Sequence, residues 1–289
     1  MYIINSQNIL TPQNGLNIYV GRTEDSILLT VSRVQDPMDI GVKMDAPQNL
    51  AKTLKSRRKP GMILMGNLGD PYSEYEEEFK LTRECLKVIE NYDHGVIIST
   101  KRFEITRDLD ILKGISSKTK CVVEITFPAM SDARIKLIEG GQTMKLQQRL
   151  ELIKLLKKEK IDVLAAFYPL VPYVNDSVYE LQSMIETMAE YGVERLDLSD
   201  LRLAIPKADR NFFYQEYRKR FPQEYARYVE RCRESPELLP ENHKELLGNM
   251  IKLCEKYGIV ADSKRIRDWK RRYENKQVGQ QMSISDFLS

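Results

Sequence analysis

GMILMGNLGDPYSEYEEEFKLTRECLKVIENYDHGVIIST, residues 61–100, contains two short apolar runs separated by a long amphipathic stretch. The runs GMILMG and GVIIST have the length and apolar character of parallel strands that are buried on both faces. The stretch between them repeats apolar residues every three or four positions, which predicts a helix. A strand, a helix and a second strand in this order predict the βαβ unit of a parallel sheet.

The same alternation extends over most of the chain. Strand-like runs lie at residues 26–32, 61–66, 95–100, 121–126, 162–168 and 195–200. Helical patterns fill the gaps, for example at 75–92, 144–160 and 177–191. Repeated βα units predict an α/β fold with a parallel sheet, although periodicity alone does not separate an open sheet from a barrel.

After residue 200 the strand signals stop, and residues 201–275 predict a helical extension. Helical patterns cover 208–234, 241–257 and 263–274. The extension is basic, because residues 202–289 carry 19 Lys and Arg against 13 Asp and Glu, whereas the whole chain has a net charge of +3. We therefore divide the chain into an α/β domain (1–200), a helical extension (201–275) and a flexible tail (276–289).

A loop near the N-terminus resembles a family motif in which the key residues have been replaced. NIYVGRTEDSILLTVSR, residues 17–33, resembles the cluster-binding loop of the radical S-adenosylmethionine (SAM) superfamily, in its spore-photoproduct-lyase-like branch. In that branch an Asn-x-Tyr-x-Gly segment leads into three cysteines spaced C-x3-C-x2-C. Asn17, Tyr19 and Gly21 are present here, but the three cysteine positions hold Arg22, Ser26 and Leu29.

Later segments extend the resemblance to about residue 200. GNLGDPY (66–72), VIISTK (96–101) and YPLVPYVND (168–176) are similar to the turns and loops that follow successive strands in the same branch. Glu139 and Arg149 fall where the branch has a Glu-Pro turn and an Arg-Leu helix start, with Gly140 in place of the Pro. The resemblance implies that residues 1–200 form a partial (β/α)6 TIM-type barrel that is open on one side.

The missing cysteines define the expected chemistry. Guanidinium, hydroxyl and isobutyl groups do not replace the thiolates that hold an iron–sulfur cluster. The remaining cysteines, Cys85, Cys121, Cys232 and Cys254, are far apart in sequence and form no CxxC pair. We expect no 4Fe-4S cluster, no reductive SAM cleavage and no catalytic residue, which indicates a pseudoenzyme.

The carboxyl ends of barrel strands are where this fold places ligands. The candidate ligand-binding residues at these ends are Gly66, Asn67, Gly69, Asp70, Ser99, Lys101 and Glu124. By resemblance the first four correspond to the turn that holds the SAM amino group, and Lys101 to a lysine near the SAM carboxylate. Turn formation explains the same residues without a ligand. Arg22 is expected to pair with Glu124 or Asp70 in the position of the missing cluster.

Other polar residues give weaker indications. Asp197 and Asp200 are candidates for a carboxylate pair, but helix capping explains them more simply. The two histidines, His94 and His243, are expected at the surface.

The C-terminus ends in a short docking-type motif. Gln281, Ile284 and Phe287, followed by Leu288, fit the pattern Q-x-x-aliphatic-x-x-aromatic, which resembles the peptides by which DNA-handling proteins bind sliding clamps. One helical turn would bring the two apolar side chains together to enter a cleft. The alternative is a tail that packs on its own domain.

Basic residues alternate with aromatic residues in the extension. The candidate nucleic-acid contacts are Arg218, Lys219, Arg220, Arg227, Arg267 and Arg271. Their cations suit phosphates and the neighbouring aromatic rings suit base stacking. An amphipathic helix with a solvated charged face is an equal alternative.

The leading hypothesis is a catalytically inactive radical-SAM-like protein that associates with DNA in a repair context and docks on a sliding clamp. One alternative is an enzyme that keeps SAM or a nucleotide and uses non-radical chemistry. Another is a regulatory partner of an active radical SAM paralogue. No apolar run reaches the ~20 residues of a membrane span and no signal peptide is visible, so we expect a cytoplasmic protein without a membrane partner.

Overall fold

The structure is a computed structural model that describes residues 1–5, 8–20, 40–66 and 69–277. Its strands are β1 (Tyr2–Ile3), β2 (Gly15–Leu16), β3 (Tyr19–Val20), β4 (Gly41–Val42), β5 (Met62–Met65), β6 (Gly95–Thr100), β7 (Cys121–Thr126), β8 (Asp162–Ala166), β9 (Leu196–Asp197), β10 (Leu203–Ala204) and β11 (Glu237–Leu238). Its helices are α1 (Ala46–Lys55), α2 (Glu76–Phe79), α3 (Leu81–Asn91), α4 (Leu109–Lys118), α5 (Asp132–Glu139), α6 (Leu146–Lys158), α7 (Val178–Glu190), α8 (Arg210–Arg220), α9 (Pro222–Cys232), α10 (His243–Lys256) and α11 (Ser263–Arg271). Two 3-10 segments lie at Phe103–Asp108 and Ser199–Leu201.

Six strands form one parallel sheet in the order β2-β5-β6-β7-β8-β9. The predicted α/β fold with a parallel sheet is confirmed. Five of the six predicted runs contribute a strand, and the remaining strand is Gly15–Leu16, which is too short to produce a sequence signal. The predicted run at 26–32 lies outside the described residues.

The two faces of the sheet pack against different parts of the chain. One face packs against the helices between the strands, with Val96, Ile98 and Val123 in the main core. Alternate residues on the same strands point to the opposite face, where Ile97 and Val122 belong to a separate cluster with Ile266 of α11. Side chains alternate across a strand, so one apolar run supplies both clusters. A helix of the extension therefore covers the inner face of the sheet.

Two predicted helices are interrupted. Residues 75–92 form α2 and α3, because Lys80 adopts a left-handed conformation with φ of 52°. Residues 208–234 form α8 and α9, which separate where Pro222 begins α9. Proline has no N–H to continue the preceding helix, and it fits the first helical turn.

The extension is not entirely helical. β10 and β11 form an antiparallel pair between Leu203–Ala204 and Glu237–Leu238. The sequence predicts no strand after residue 200, because two-residue strands carry no periodicity. No helix in the described part of the chain is both long and apolar enough to cross a membrane.

The surface position expected for His94 is wrong. Its side chain is buried, and Nδ1 lies 2.8 Å from the Gly61 nitrogen and 3.0 Å from the Gly61 carbonyl oxygen. Burial lowers the pKa of His94, since the charged imidazolium loses hydration there. His94 is therefore a structural contact between the starts of β5 and β6.

Candidate functional site

The turn after β5 is packed closely against the end of β6. Gly66 has a φ of +98°, and a Cβ on it would lie 2.1 Å from the Ser99 carbonyl oxygen. Glycine alone adopts this conformation at little cost and allows the contact. Gly69 follows in the same turn, whereas the candidate Asn67 lies outside the described residues.

Asp70 uses its carboxylate to join the two strand ends. Oδ1 accepts a hydrogen bond from the Thr100 hydroxyl at 2.7 Å, and Oδ2 accepts one from the Lys101 N–H at 2.7 Å. The Tyr72 N–H adds a third at 2.9 Å. Burial raises the pKa of Asp70 although these donors oppose the change. The predicted ligand for an ammonium group is thus engaged inside the protein.

Glu124 receives its charged partner from the C-terminal extension. Lys270 of α11 donates through Nζ to Glu124 Oε2, while the Ser99 hydroxyl donates to Oε1 at 3.2 Å. The Glu124 and Lys270 side chains are 15% and 22% exposed, so the ion pair is only partly screened by water. Arg22, the partner expected from the sequence, lies outside the described residues.

Asp197 and Asp200 stabilise the turn after β9. Asp197 Oδ1 accepts from the Ser199 N–H at 2.8 Å, and Asp200 accepts from the hydroxyl of Ser263, the first residue of α11. His243 Nε2 also lies 2.6 Å from the Asp200 carbonyl oxygen. Burial raises the pKa of Asp197, which Lys270 opposes and Glu124 reinforces. Neither carboxylate caps a helix, because Asp262 caps α11 and the Ser199–Leu201 segment has no side-chain cap. The contacts instead attach α10 and α11 to the barrel edge.

A buried ion pair lies beside the Lys101 ammonium group. Glu139 and Arg149 form a salt bridge with both side chains fully buried, and the Thr126 hydroxyl donates to Glu139 at 2.9 Å. Lys101 Nζ lies 3.7 Å from Glu139 and is 30% exposed. Burial would raise the pKa of Glu139, but the charges of Arg149 and Lys101 outweigh it and lower the pKa. Lys101 is thus the solvent-accessible cation of this group.

A second buried network anchors the start of the resemblance loop. The Tyr19 hydroxyl donates to Glu76 Oε2 at 2.6 Å, and Arg107 Nη2 donates to Glu76 Oε1 at 2.6 Å. The Thr82 N–H also donates to this carboxylate at 2.9 Å. The pKa of Tyr19 is raised by burial and by the negative charge of Glu76. Sequence analysis missed Glu76, since it lies in an acidic run in which nothing distinguishes one Glu from the next.

Residues 260–277 cover the inner face of the sheet from one side to the other. Two cations lie over the Trp269 ring, with Lys120 Nζ 4.1 Å and the Arg195 guanidinium carbon 4.2 Å from its centroid. Lys120 Nζ also donates to the Trp269 carbonyl oxygen. Further along, the Tyr273 hydroxyl donates to the Asp93 carbonyl oxygen at 2.7 Å. This segment of the extension therefore packs across the inner face of the sheet.

The described residues do not fit a three-thiolate cluster site. Cys85, Cys121, Cys232 and Cys254 lie on α3, β7, α9 and α10, and the first, second and fourth are buried. Among the described residues, no group of three His, Cys, Asp or Glu side chains could hold a metal ion. The positions Arg22, Ser26 and Leu29 are not among them.

The aromatic residues of α8 and α9 form a core of their own. Phe213, Tyr214, Tyr217 and Tyr228 are buried against one another, with ring centroids 5.3–6.3 Å apart. Base stacking requires an accessible ring face, which these four do not offer. The expected contribution of these rings to nucleic-acid binding is therefore not supported by their placement.

The candidate basic residues of α8 and α9 have unequal access to solvent. Arg220 is 12% exposed, pairs with Glu216 and donates to the Leu137 carbonyl oxygen at 2.9 Å. Arg227 lies over the Tyr173 ring at 4.3 Å. Lys219 is 75% exposed, with Glu216 at 3.7 Å, and Arg218 is exposed. Arg218, Lys219 and Arg227 are thus exposed to solvent, whereas Arg220 is largely engaged inside the protein.

The outer face of α11 holds a group of exposed cations, with the exposed Asp268 among them. Lys264, Arg265, Arg267 and Arg271 are all exposed. In the part of the chain that the structure describes, no ion pair engages any of the four. Arg267 and Arg271 were predicted as nucleic-acid contacts, and the structure places them on this face. We call these four residues the α11 basic face.

The motif of the C-terminal tail lies outside the described residues. Gln281, Ile284, Phe287 and Leu288 all follow Gln277, the last residue that is described. Just before this point, the Lys276 N–H donates to the Lys118 carbonyl oxygen at 2.9 Å. The chain therefore enters the tail near the amino end of β7.

The six-stranded parallel sheet and its outer helices have the fold of solved spore photoproduct lyase structures. A double mutant of spore photoproduct lyase with bound S-adenosylmethionine and dinucleoside spore photoproduct matches the chain with a TM-score of 0.67. The match has 14% sequence identity and covers 90% of this chain and 80% of that one. Spore photoproduct lyase complexed with dinucleoside spore photoproduct matches with a TM-score of 0.60, also at 14% identity, over 88% of this chain and 78% of that one. The resemblance found in the sequence is confirmed at the level of the fold.

Sequence comparison finds relatives without an assigned function. Uncharacterized proteins of Mycobacterium bovis and Mycobacterium tuberculosis are each 23% identical over 229 residues, which is 78% of this chain and 66% of theirs. An uncharacterized protein of Methanocaldococcus jannaschii is 30% identical over 132 residues, 46% of this chain. This chain covers 49% of the Methanocaldococcus jannaschii protein, about half of its length. No protein-family model matches the chain.

Proposed function

We propose that this chain is a catalytically inactive radical-SAM-like protein that associates with duplex DNA through its C-terminal extension. The observation that carries the proposal is the placement of α11. One side of this helix covers the inner face of the barrel, while the other side presents four cations to solvent. The barrel then acts as a scaffold that holds a phosphate-binding surface.

Two features support the loss of catalysis. The carboxylates of Asp70 and Glu124 are engaged by the protein's own donors, and Glu124 is neutralised by Lys270. The three positions at which the resemblance places cluster cysteines hold Arg22, Ser26 and Leu29. Iron and sulfide analysis after anaerobic reconstitution tests this part, with an expected result of no stoichiometric iron. A bound 4Fe-4S cluster would contradict it.

The nature of the interface follows from which groups are exposed. Exposed cations that form no ion pair attract the phosphate backbone, and binding releases its condensed counterions. The buried aromatic residues of α8 and α9 leave little stacking surface, so we propose duplex binding without sequence preference. Spore photoproduct lyase, which shares the fold, holds a dinucleoside spore photoproduct in two solved structures. That agreement supports a nucleic-acid partner of some kind.

The DNA claim is tested by salt-dependent binding. Arg267→Ala with Arg271→Ala should weaken binding of a fluorescent duplex and reduce the slope of log K against log salt by about 1.8, from roughly 0.9 per phosphate contact. Lys52→Ala with Lys55→Ala on α1 removes the same charge from two exposed sites and is the matched control. Equal losses in the two double variants would rule out a specific α11 interface.

We propose further that the tail docks on a sliding clamp. The support is the sequence motif and the point at which the tail leaves the barrel, next to Lys118 and away from the carboxyl edge. Ile284→Ala with Phe287→Ala should abolish binding of the full chain to an immobilised clamp, whereas Met282→Ala, at a variable motif position, should not. Unchanged clamp affinity in the double variant would remove this part of the proposal.

Lys101 favours a second candidate function, a SAM- or nucleotide-binding protein with polar chemistry. Its ammonium group is partly exposed at the carboxyl edge, next to a buried carboxylate. A ligand carboxylate or phosphate could pair with it. Tight SAM binding by calorimetry that is lost in Lys101→Ala but retained in Lys113→Ala, an exposed helix lysine, would favour this candidate.

A further inference from the structure

The α11 basic face depends on helical geometry. From residue 264 to residue 271 a helix rises about 10 Å, at 1.5 Å per residue. This length matches roughly three phosphates of one strand, which follow each other every 3.4 Å along the duplex axis. Lys264 and Arg267 are three residues apart, and Arg267 and Arg271 are four apart, so these cations are neighbours on one side of the helix.

Helix α11 has little tendency to form by itself. It has nine residues, and isolated helices shorter than about 12–15 residues are marginal in water. Helical geometry here therefore depends on contacts with the barrel.

Docking contacts occur along the whole inner side of α11. Ile266 is buried in the inner-face cluster, and Lys270 pairs with Glu124. The hydroxyl of Ser263 binds Asp200 at the start, and Lys120 binds the Trp269 carbonyl oxygen at the end. These contacts face away from the basic side, so none of them competes with phosphates.

We infer that duplex DNA binds only the form in which α11 is docked on the barrel, and that Glu124 and Tyr273 position the basic face without touching DNA. This inference rests on the proposed function. Linkage requires the effect to be reciprocal: DNA must stabilise docking by the same factor by which docking strengthens DNA binding.

Hydrogen exchange of the full chain measures docking directly. With duplex at ten times its dissociation constant, the amides of α11 should exchange about tenfold more slowly, since a ligand of one state stabilises it by the factor 1 + [L]/Kd. Trp269, the single tryptophan, reports the same docking through its fluorescence. Normal DNA binding with unchanged exchange in α11 would overturn the inference while leaving the proposed function standing. No DNA binding by the unaltered chain would remove both.

Two variants, one on β7 and one just after α11, distinguish a positioning role from an effect of net charge. Glu124→Gln removes a negative charge, so electrostatics alone would tighten DNA binding. Docking linkage predicts the opposite, with the apparent dissociation constant rising by the factor by which the docked fraction falls. Glu78→Gln on α2 makes the same charge change at an exposed site and is the control.

Tyr273→Phe removes only the hydrogen bond to the Asp93 carbonyl oxygen and leaves the charge unchanged. It should also weaken binding, and it provides the test if Glu124→Gln does not fold. Affinity that follows net charge in the glutamine variants, together with unchanged affinity in Tyr273→Phe, would refute the inference.

Discussion

Replacing Glu139 by Gln should destabilise the barrel strongly, although the two side chains have nearly the same shape. The carboxylate lies beside the Arg149 guanidinium, and both side chains are completely buried. Removing one partner of a buried ion pair leaves the other charge without compensation, at a cost of about 3–5 kcal/mol. Arg149 keeps its bond from Nε to the Met144 carbonyl oxygen at 3.0 Å, and a Gln carbonyl can still accept one bond. We therefore expect a loss near the lower end, about 3 kcal/mol.

Urea denaturation at pH 7, followed by circular dichroism, measures this loss. The control is Glu139→Leu combined with Arg149→Met, which removes both charges and should recover most of the stability, because buried pairs replaced by apolar residues are often neutral. A loss below about 1 kcal/mol in the single variant would refute the reasoning, since that is typical of exposed pairs. A double variant no more stable than the single one would refute it equally.

The pH dependence supplies a second test of the same ion pair. The pKa of Glu139 is lowered in the folded state from an ordinary value near 4.5. Its contribution is therefore complete above about pH 4.5 and is lost as the pH falls through the lower folded-state pKa. The stability gap between the unaltered chain and Glu139→Gln should be constant at neutral pH and narrow in acid. A gap that widens in acid would contradict the assignment.

Three further predictions concern backbone geometry, docking and thiol access. Gly66→Ala should destabilise the fold by more than about 1 kcal/mol in urea denaturation, because Gly66 has a positive φ and lies against Ser99. Gly248→Ala within α10 should instead stabilise the fold by up to about 1 kcal/mol. Equal effects of the two substitutions would contradict the strain argument. Lys120→Met should shift Trp269 emission to longer wavelength without unfolding the barrel, because Lys120 holds the end of α11, and an unchanged spectrum would count against that role. Cys232 should be the first thiol to react with a disulfide reagent in the native protein, because the other three cysteines are buried. Burial raises the pKa of the Cys85 and Cys121 thiols, and it raises the pKa of Cys254 to about 12. Fast reaction of a second thiol would contradict this prediction.

Sequence patterns located the barrel strands well because each long strand is a continuous apolar run. Residues 95–100 and 121–126 form strands with the predicted bounds. Two-residue strands such as Gly15–Leu16 and Leu203–Ala204 were missed, since no periodicity exists over two residues. Helix breaks at Lys80 and Pro222 were also missed, because the apolar spacing continues through them.

The candidate site could be predicted only in part. Asp70, Ser99, Lys101 and Glu124 do lie at strand ends, as the resemblance implied. Their partners could not be predicted, because Glu124 meets Lys270 across 146 positions of chain. The aromatic residues of α8 and α9 suggested stacking surfaces, yet helical spacing alone does not reveal which side of an amphipathic helix is buried.

What the sequence by itself determined was local: the apolar runs, the alternation of strand and helix, the turn glycine at residue 66 and the family-like motifs along residues 5–200. These features depend on side-chain chemistry within a few residues of one another, so the amino-acid sequence specifies them directly. Only the tertiary structure decided that α11 covers the inner face of the barrel, that Lys270 neutralises Glu124 and that four cations of the same helix face solvent. Each of these is a contact or an exposure set by how distant segments pack, because burial and charge pairing are properties of the folded arrangement rather than of the local chain.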